Sequence, residues 1–291
     1  MKKTVKIFAN ICTLLAVLLL LAQGCYLLVA HRYDIHYIYD SLFFVINCFI
    51  LLFAFLGFVP YVKTKRPLIV LAGFLLIFQG SVLFVGMDHQ VVASSSPKET
   101  NTFMLRIDKR TGFAAYQRNL YYQWPQVQAF LPKPTLNNGY LAFSTDAEQL
   151  AYPVGSAYKI DWPTEEMAVF SYQTQDGGNA QFIRSYSADA ASPVETGLSP
   201  AIIGNWQSTD GNSQLKAQGN PYLLTIGDQE LTLNPSYQIS FSQFASVYTD
   251  AQGNALCALI LNSSKDKLTI IPADPKQADK SDTLNRLTDP L

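Results

Sequence analysis

Three long apolar runs, Ile7 to Ala30, Leu42 to Val62 and Leu68 to Met87, occupy most of the first third of the chain and constrain everything after them. Each is long enough, at 1.5 Å per helical residue, to cross a hydrocarbon layer of about 30 Å. Between the second and third lies Lys63-Thr64-Lys65-Arg66-Pro67, and Lys2, Lys3 and Lys6 precede the first. Positively charged loops are retained on the cytoplasmic side of a membrane. The pattern therefore predicts three transmembrane helices with a cytoplasmic N-terminus and a cytoplasmic hinge at 63–67. The loop His31 to Asp40 and everything after Met87 are then extracytoplasmic. Tyr33, Tyr37 and Tyr39 in that loop suit the headgroup level, and Pro67 opens the third helix where a missing donor costs nothing.

With the apolar third set aside, the composition of the remainder is that of a water-soluble protein. The whole chain of 291 residues is 49% hydrophobic and 15% charged. From Gln90 onward there are 14 Lys and Arg against 19 Asp and Glu, a net charge of −5. A mildly acidic surface of this kind excludes nucleic acid as a partner, since that would require a basic face. Of the four cysteines, Cys12, Cys25 and Cys48 fall in the apolar runs. Cys257 is then the one thiol of the exported region, so no disulfide forms within it.

The apolar runs contain no Asp, Glu, Lys, Arg or His. Pumps and proton relays need such groups at depth, so the expected role of the helices is anchorage. Gln23, Asn47 and Gln79 lie at similar distances from the outer ends of their helices. An amide in hydrocarbon seeks a partner, and the three are predicted to form a membrane clasp. Leu21-Ala22-Gln23-Gly24-Cys25 resembles a bacterial lipobox, which would make Cys25 a lipidation site. Residues 26–30 stay apolar where a lipoprotein would begin a polar tether, and an uncleaved helix is expected. All three histidines, His31, His36 and His89, fall at the outer membrane face beside Asp34, Asp40 and Asp88. Imidazole and carboxylate together make them the candidate metal ligands, although the headgroup level is an ordinary place for such residues. No metal or cofactor is expected.

The exported region divides into a polar tether over 90–101, a β-rich domain over 102–186, a linker over 187–200, a small antiparallel β domain over 201–272 and a disordered tail over 273–291. Within the β-rich part, 103–107 with 113–117 and 167–174 with 180–186 are predicted hairpins, and 119–131 could be a short helix. Beyond the linker, strands are predicted at 202–207, 222–226, 229–233, 237–241, 245–248, 255–261 and 267–271. Gly227-Asp228 supplies a two-residue hairpin loop. Short alternating strands at this spacing indicate a small antiparallel barrel or sandwich. Gly204-Asn205-Trp206 resembles the Gly-x-Trp of lipocalin-like domains, which implies a barrel closed at its base by the tryptophan. The layout as a whole is similar to small three-helix membrane proteins of Gram-positive bacteria, lactic acid bacteria especially. That similarity implies no activity.

From Gln90 to the end there is no histidine, so a Ser-His-Asp or Cys-His arrangement cannot form inside the exported region. Glu165 and Glu166 are neighbours in a turn rather than opposed carboxylates. Trp124, Trp162 and Trp206 are candidate ligand aromatics, against the alternative that each fills a core. The expected function is a membrane-anchored, extracytoplasmic binding or scaffold protein without catalytic residues. The alternatives are an accessory subunit of a membrane transport or secretion complex, and an envelope-acting hydrolase.

Overall fold

Three helices come first in the computed structural model, which describes residues 3–33, 35–37, 40–63, 65–86, 89–119, 143–186 and 198–287. They are α1 (Lys3–Tyr33), α2 (Asp40–Phe58) and α3 (Lys65–Gly86). α2 stops short of the expected Val62 because Pro60 disfavours helical backbone at Val59, and the chain leaves through a turn in which Tyr61 N bonds to Phe58 O. Two of the helices are long and apolar enough to cross a membrane, over Lys3–Ala30 and Ser41–Phe58, and α3 holds a shorter apolar stretch over Arg66–Ser81.

α1 packs on α2, and α2 on α3. The buried positions of α1 are Ala9, Cys12, Ala16 and Gln23, which recur at heptad spacing and are mostly small. Small residues let two helix backbones approach closely. Gly57 of α2 answers them: a Cβ there would collide with Thr13 Oγ1 and come within 3.1 Å of Thr13 N. At the same end, Tyr61 OH donates to Asn10 Oδ1 at 2.8 Å.

The strands are β1 (Ile35–Tyr37), β2 (His89–Ser95), β3 (Thr102–Asp108), β4 (Ala114–Asn119), β5 (Phe143–Gln149), β6 (Val154–Thr164), β7 (Met167–Thr174) and β8 (Asn179–Ser185). After them come β9 (Gly204–Ser208), β10 (Ser213–Ala217), β11 (Tyr222–Ile226), β12 (Gln229–Leu233), β13 (Gln238–Ser242), β14 (Ala245–Thr249), β15 (Ala255–Leu261), β16 (Lys267–Pro272) and β17 (Asp282–Arg286). They form sheets in the orders β1-β5-β4-β3-β2, β6-β7-β8 and β12-β11-β10-β9-β17-β16-β15-β14-β13. By compactness the chain divides into two units. The first comprises Met1–Val92, Met104–Arg110 and Ala115–Gln149, and the second Ala93–Phe103, Thr111–Ala114 and Leu150–Leu291.

The nine-stranded sheet of the second unit curls into a half-barrel around its inward side chains. Leu215, Leu224, Leu233, Leu259, Leu268 and Leu284 alternate along their strands with outward polar residues, and all are fully buried. The sheet is open at β12 and β13, which differs from a closed barrel. A short 3-10 helix, Ser199–Ile202, places Leu198 and Ile202 in the same core. Its Ser199 hydroxyl lies 2.9 Å from Tyr248 OH and 2.8 Å from Gln238 Oε1. Burial pushes the Tyr248 phenol above its ordinary range, so its hydroxyl stays protonated. The outer face of β14, β15 and β16 is also covered. Ala245, Val247, Ala258 and Ile260 meet Met167, Val169 and Ile183 of the β6-β7-β8 sheet. β15 is consequently buried on both faces, which explains its near-continuous apolar run, Ala255 to Leu261.

Three expectations need correction. Residues 90–95 are not tether but part of β2, and residues 96–101 fold back into the second unit. The tail is ordered: β17 lies between β9 and β16, paired to both. Its one buried residue, Leu284, completes the core, and the polarity read as disorder belongs to a strand with one wet face. The linker ends early as well, since residues 198–202 are structured core, while 187–197 and the possible helix at 119–131 beyond Asn119 lie outside the described residues.

Candidate functional site

The clasp residues Gln23, Asn47 and Gln79 come together as one directed chain of hydrogen bonds. Tyr37 OH donates to Gln23 Oε1 at 3.2 Å, Gln23 Nε2 donates to Asn47 Oδ1 at 3.3 Å, and Asn47 Nδ2 donates to Gln79 Oε1 at 3.4 Å. Gln23 Nε2 also reaches Phe43 O at 3.2 Å. The chain thus ties α1 to α2 and α2 to α3. Tyr37 is the member that the sequence reading missed. It is presented by β1, whose backbone pairs with β5 through Ile35↔Thr145, His36↔Ser144 and Tyr37↔Phe143. Its ring stacks on Tyr26 at 4.0 Å between centroids, and Tyr37 N donates to Tyr26 OH at 3.3 Å. Burial, with a smaller contribution from Tyr26, pushes the Tyr37 hydroxyl up to about 12 and keeps it a donor at neutral pH. Chemically the arrangement holds a bundle together; every polar group in it faces another.

The candidate metal ligands are not gathered in this way. His36 sits on β1 and His89 on β2, the two opposite edges of the five-stranded sheet. His31 lies in the last turn of α1. Among the described residues, no three His, Cys, Asp or Glu side chains group as ligands.

The tryptophans have separate fates. Trp206 is fully buried, donates from Nε1 to Ile202 O at 2.8 Å, and carries the Arg286 guanidinium 5.4 Å from its ring centroid. With no surface exposed, it is a core residue and leaves the set of ligand aromatics. Gly204, two residues earlier, has φ +133, and Arg286 passes within 4.0 Å of the position a Cβ would take. Trp162 is half-buried, stacks on Tyr186 at 5.7 Å and donates to Ser94 Oγ at 3.0 Å. Trp124 lies outside the described residues.

Glu165 is held by the segment 96–101. Its carboxylate accepts the hydroxyls of Ser96 and Thr100 and the Lys98 amide at 3.0 Å, and its carbonyl accepts Asn101 Nδ2 at 2.9 Å. Desolvation works to raise its pKa, yet these hydrogen bonds outweigh it and hold the carboxyl below the usual range. Fully engaged in this way, Glu165 fastens a loop. Cys257 is fully buried on β15, and that burial alone pushes its thiol up to about 12, leaving it unreactive.

A polar concavity of about 420 Å³ opens on the outer face of the half-barrel, lined by Thr209, Asp210, Thr269, Ser281, Asp282 and Thr283. Asp210 accepts Ser208 Oγ at 2.6 Å and Asn212 N at 3.0 Å, which keep it ionised. Asp282 Oδ1 accepts Thr283 N at 2.7 Å. Comparison of the chain with protein-family models, curated proteins and solved structures gives no match.

Proposed function

We propose that this chain is a membrane-anchored binding or scaffold protein whose β region is displayed outside the membrane. The observation that carries the reading is the polarity of the helical bundle. Leu14, Leu18, Leu28, Val70, Phe74 and Ile77 are all more than half exposed, while Gln23 and its amide partners lie between the helices. An exterior of Leu, Val, Ile and Phe around a polar seam suits lipid and is costly in water. α3, with 22 residues, spans about 33 Å and serves as a third crossing. The basic residues at 2–6 and 63–66 then set both inner ends in the cytoplasm. A cleaved signal sequence would have no need to supply Gln23 to Asn47 and Tyr37, so α1 stays. Binding is favoured over catalysis because Glu165 and Cys257 are both committed to structure. The filled interior of the half-barrel directs any partner to its outer surface.

The test is a pair of C-terminal fusions, one to alkaline phosphatase and one to green fluorescent protein. Phosphatase activity without fluorescence is expected. Fluorescence without phosphatase activity would place the β region in the cytosol and end the reading.

A further inference from the structure

The outward side chains of the half-barrel are ordered into rows by the strand registers. Lys267, Asn285, Gln207, Gln214, Thr225 and Glu230 are successive cross-strand partners from β16 through β17, β9, β10 and β11 to β12. At about 4.8 Å per strand this row runs roughly 24 Å. A second row, Asn205, Lys216, Leu223 and Thr232, flanks it on one side. On the other side Thr269 Oγ1 and Thr283 Oγ1 lie 3.4 Å apart, and Asn285 Nδ2 donates to Thr209 Oγ1 at 3.3 Å. These threonines open into the concavity of about 420 Å³ that also holds Asp210, Asp282 and Ser281. That volume is within the range of small-molecule sites.

The chemistry of this face selects its ligand. Its groups are chiefly amides and hydroxyls, able both to donate and to accept. Lys216 and Lys267 stand against Glu230, Asp210 and Asp282, so charge is close to balanced. Nucleic acid needs a clearly basic surface. A protein partner needs aromatic or arginine anchors in a dry centre, and Leu223 alone does not supply one. A neutral sugar polymer presents dense hydroxyls with no charge, and an ionised carboxylate accepts hydrogen bonds from adjacent ring hydroxyls.

We propose that this face is a binding site for a neutral, hydroxyl-rich glycan. One sugar sits in the concavity at Asp210 and Asp282, and the chain continues along the Asn285, Gln207 and Gln214 row. The proposal rests on the reading that the β region is displayed outside the membrane and binds there. The full chain in lipid nanodiscs is titrated with dextran, mannan and chitohexaose by calorimetry and amide hydrogen exchange. Saturable binding of at least one is expected, with exchange protection confined to 205–216 and 267–286. The variant Gln207→Ala, Gln214→Ala, Asp282→Ala weakens that binding at least tenfold without changing thermal unfolding. If the triple variant unfolds earlier, Asp282→Asn, which preserves size, must still weaken binding. Ile239→Ser on the distant strand β13 leaves it unchanged. No saturable binding of any of the three glycans, protection elsewhere, or undiminished binding by the variants overturns the proposal. A cytosolic reporter result would instead overturn the reading beneath it, whatever the titrations give.

Discussion

Leu284 offers the sharpest test of the half-barrel, because its strand is the one whose sequence looks least like a strand. The side chain is fully buried among Leu268, Leu215 and Trp206, while Thr283 and Asn285 on either side are exposed. Leu284→Ala removes three carbons from a packed interior and leaves a cavity, at a cost of about 3 to 5 kcal/mol. For a unit of this size each kcal/mol lowers the melting temperature by roughly 2 to 4 °C, so a drop of about 6 to 20 °C is expected. Thr283→Ala changes only a solvent-facing hydroxyl and should stay within about 0.5 kcal/mol of the parent. The assay is thermal unfolding of the full chain in detergent, followed by near-ultraviolet circular dichroism, which reports Trp206 in its buried site. Equal melting temperatures for the two variants would refute the alternation of β17 and with it the continuity of the nine-stranded sheet.

Gly57→Val should separate α1 from α2, since the Cβ meets Thr13 and cannot be relieved by rotation. Overpacking of this kind costs about 1 to 3 kcal/mol, measurable as an earlier loss of helical circular dichroism on titration with sodium dodecyl sulfate. Asn47→Leu interrupts the amide chain and should cost about 0.6 to 2 kcal/mol in the same titration, with Tyr37→Phe losing less because Gln23 keeps its bonds to Asn47 and Phe43. Glu165 has a depressed pKa in the folded state, so the stability it contributes is present at neutral pH. That contribution fades as pH falls below the ordinary value of 4.5 and through the depressed one. Glu165→Gln should therefore melt lower than the parent at pH 7, with the gap closing in acid; a constant gap from pH 7 to acid would contradict the sign. In a variant with Cys12, Cys25 and Cys48 replaced by Ala, Cys257 should resist maleimide at pH 8 until denaturant is added; labelling of the native protein would show that β15 opens.

How much of this was legible in the sequence depended on whether burial was one-sided or complete. The three helices could be read because lipid demands unbroken apolar runs, and no tertiary detail can hide a run such as Leu42 to Gly57. β11, β12, β14, β15 and β16 could be read because their alternation or apolar density is strong, and Gly227-Asp228 fixed the hairpin between β11 and β12. β10 and β17 were missed for a shared reason. Ser213-Gln214-Leu215-Lys216-Ala217 and Asp282-Thr283-Leu284-Asn285-Arg286 each carry a single large apolar side chain, and their partners lie far along the chain. β2 was missed because His89 to Ser95 is polar on an edge of its sheet, where little is buried. Of the candidate residues, the three amides were findable, since a lone amide in hydrocarbon is conspicuous. Tyr37 was not, because a tyrosine at headgroup level has an ordinary explanation and only the β1–β5 pairing turns it inward. The outer face of the half-barrel was illegible for a different reason. Its rows exist only in the cross-strand register, which no local pattern encodes.

The interleaving of the two compact units has a practical meaning for the cell. The polypeptide passes from one to the other five times, at 92, 103, 110, 114 and 149. A sheddase making one incision would leave pieces of both units on each side of the cut, so surface release by simple clipping is closed to this architecture. The same threading sets the order of synthesis: Phe103, whose ring lies 6.0 Å from Phe170 and 6.2 Å from Phe182, must wait for residues translated long after it. Whatever part of the chain has already emerged must be kept from aggregating until its C-terminal strands arrive.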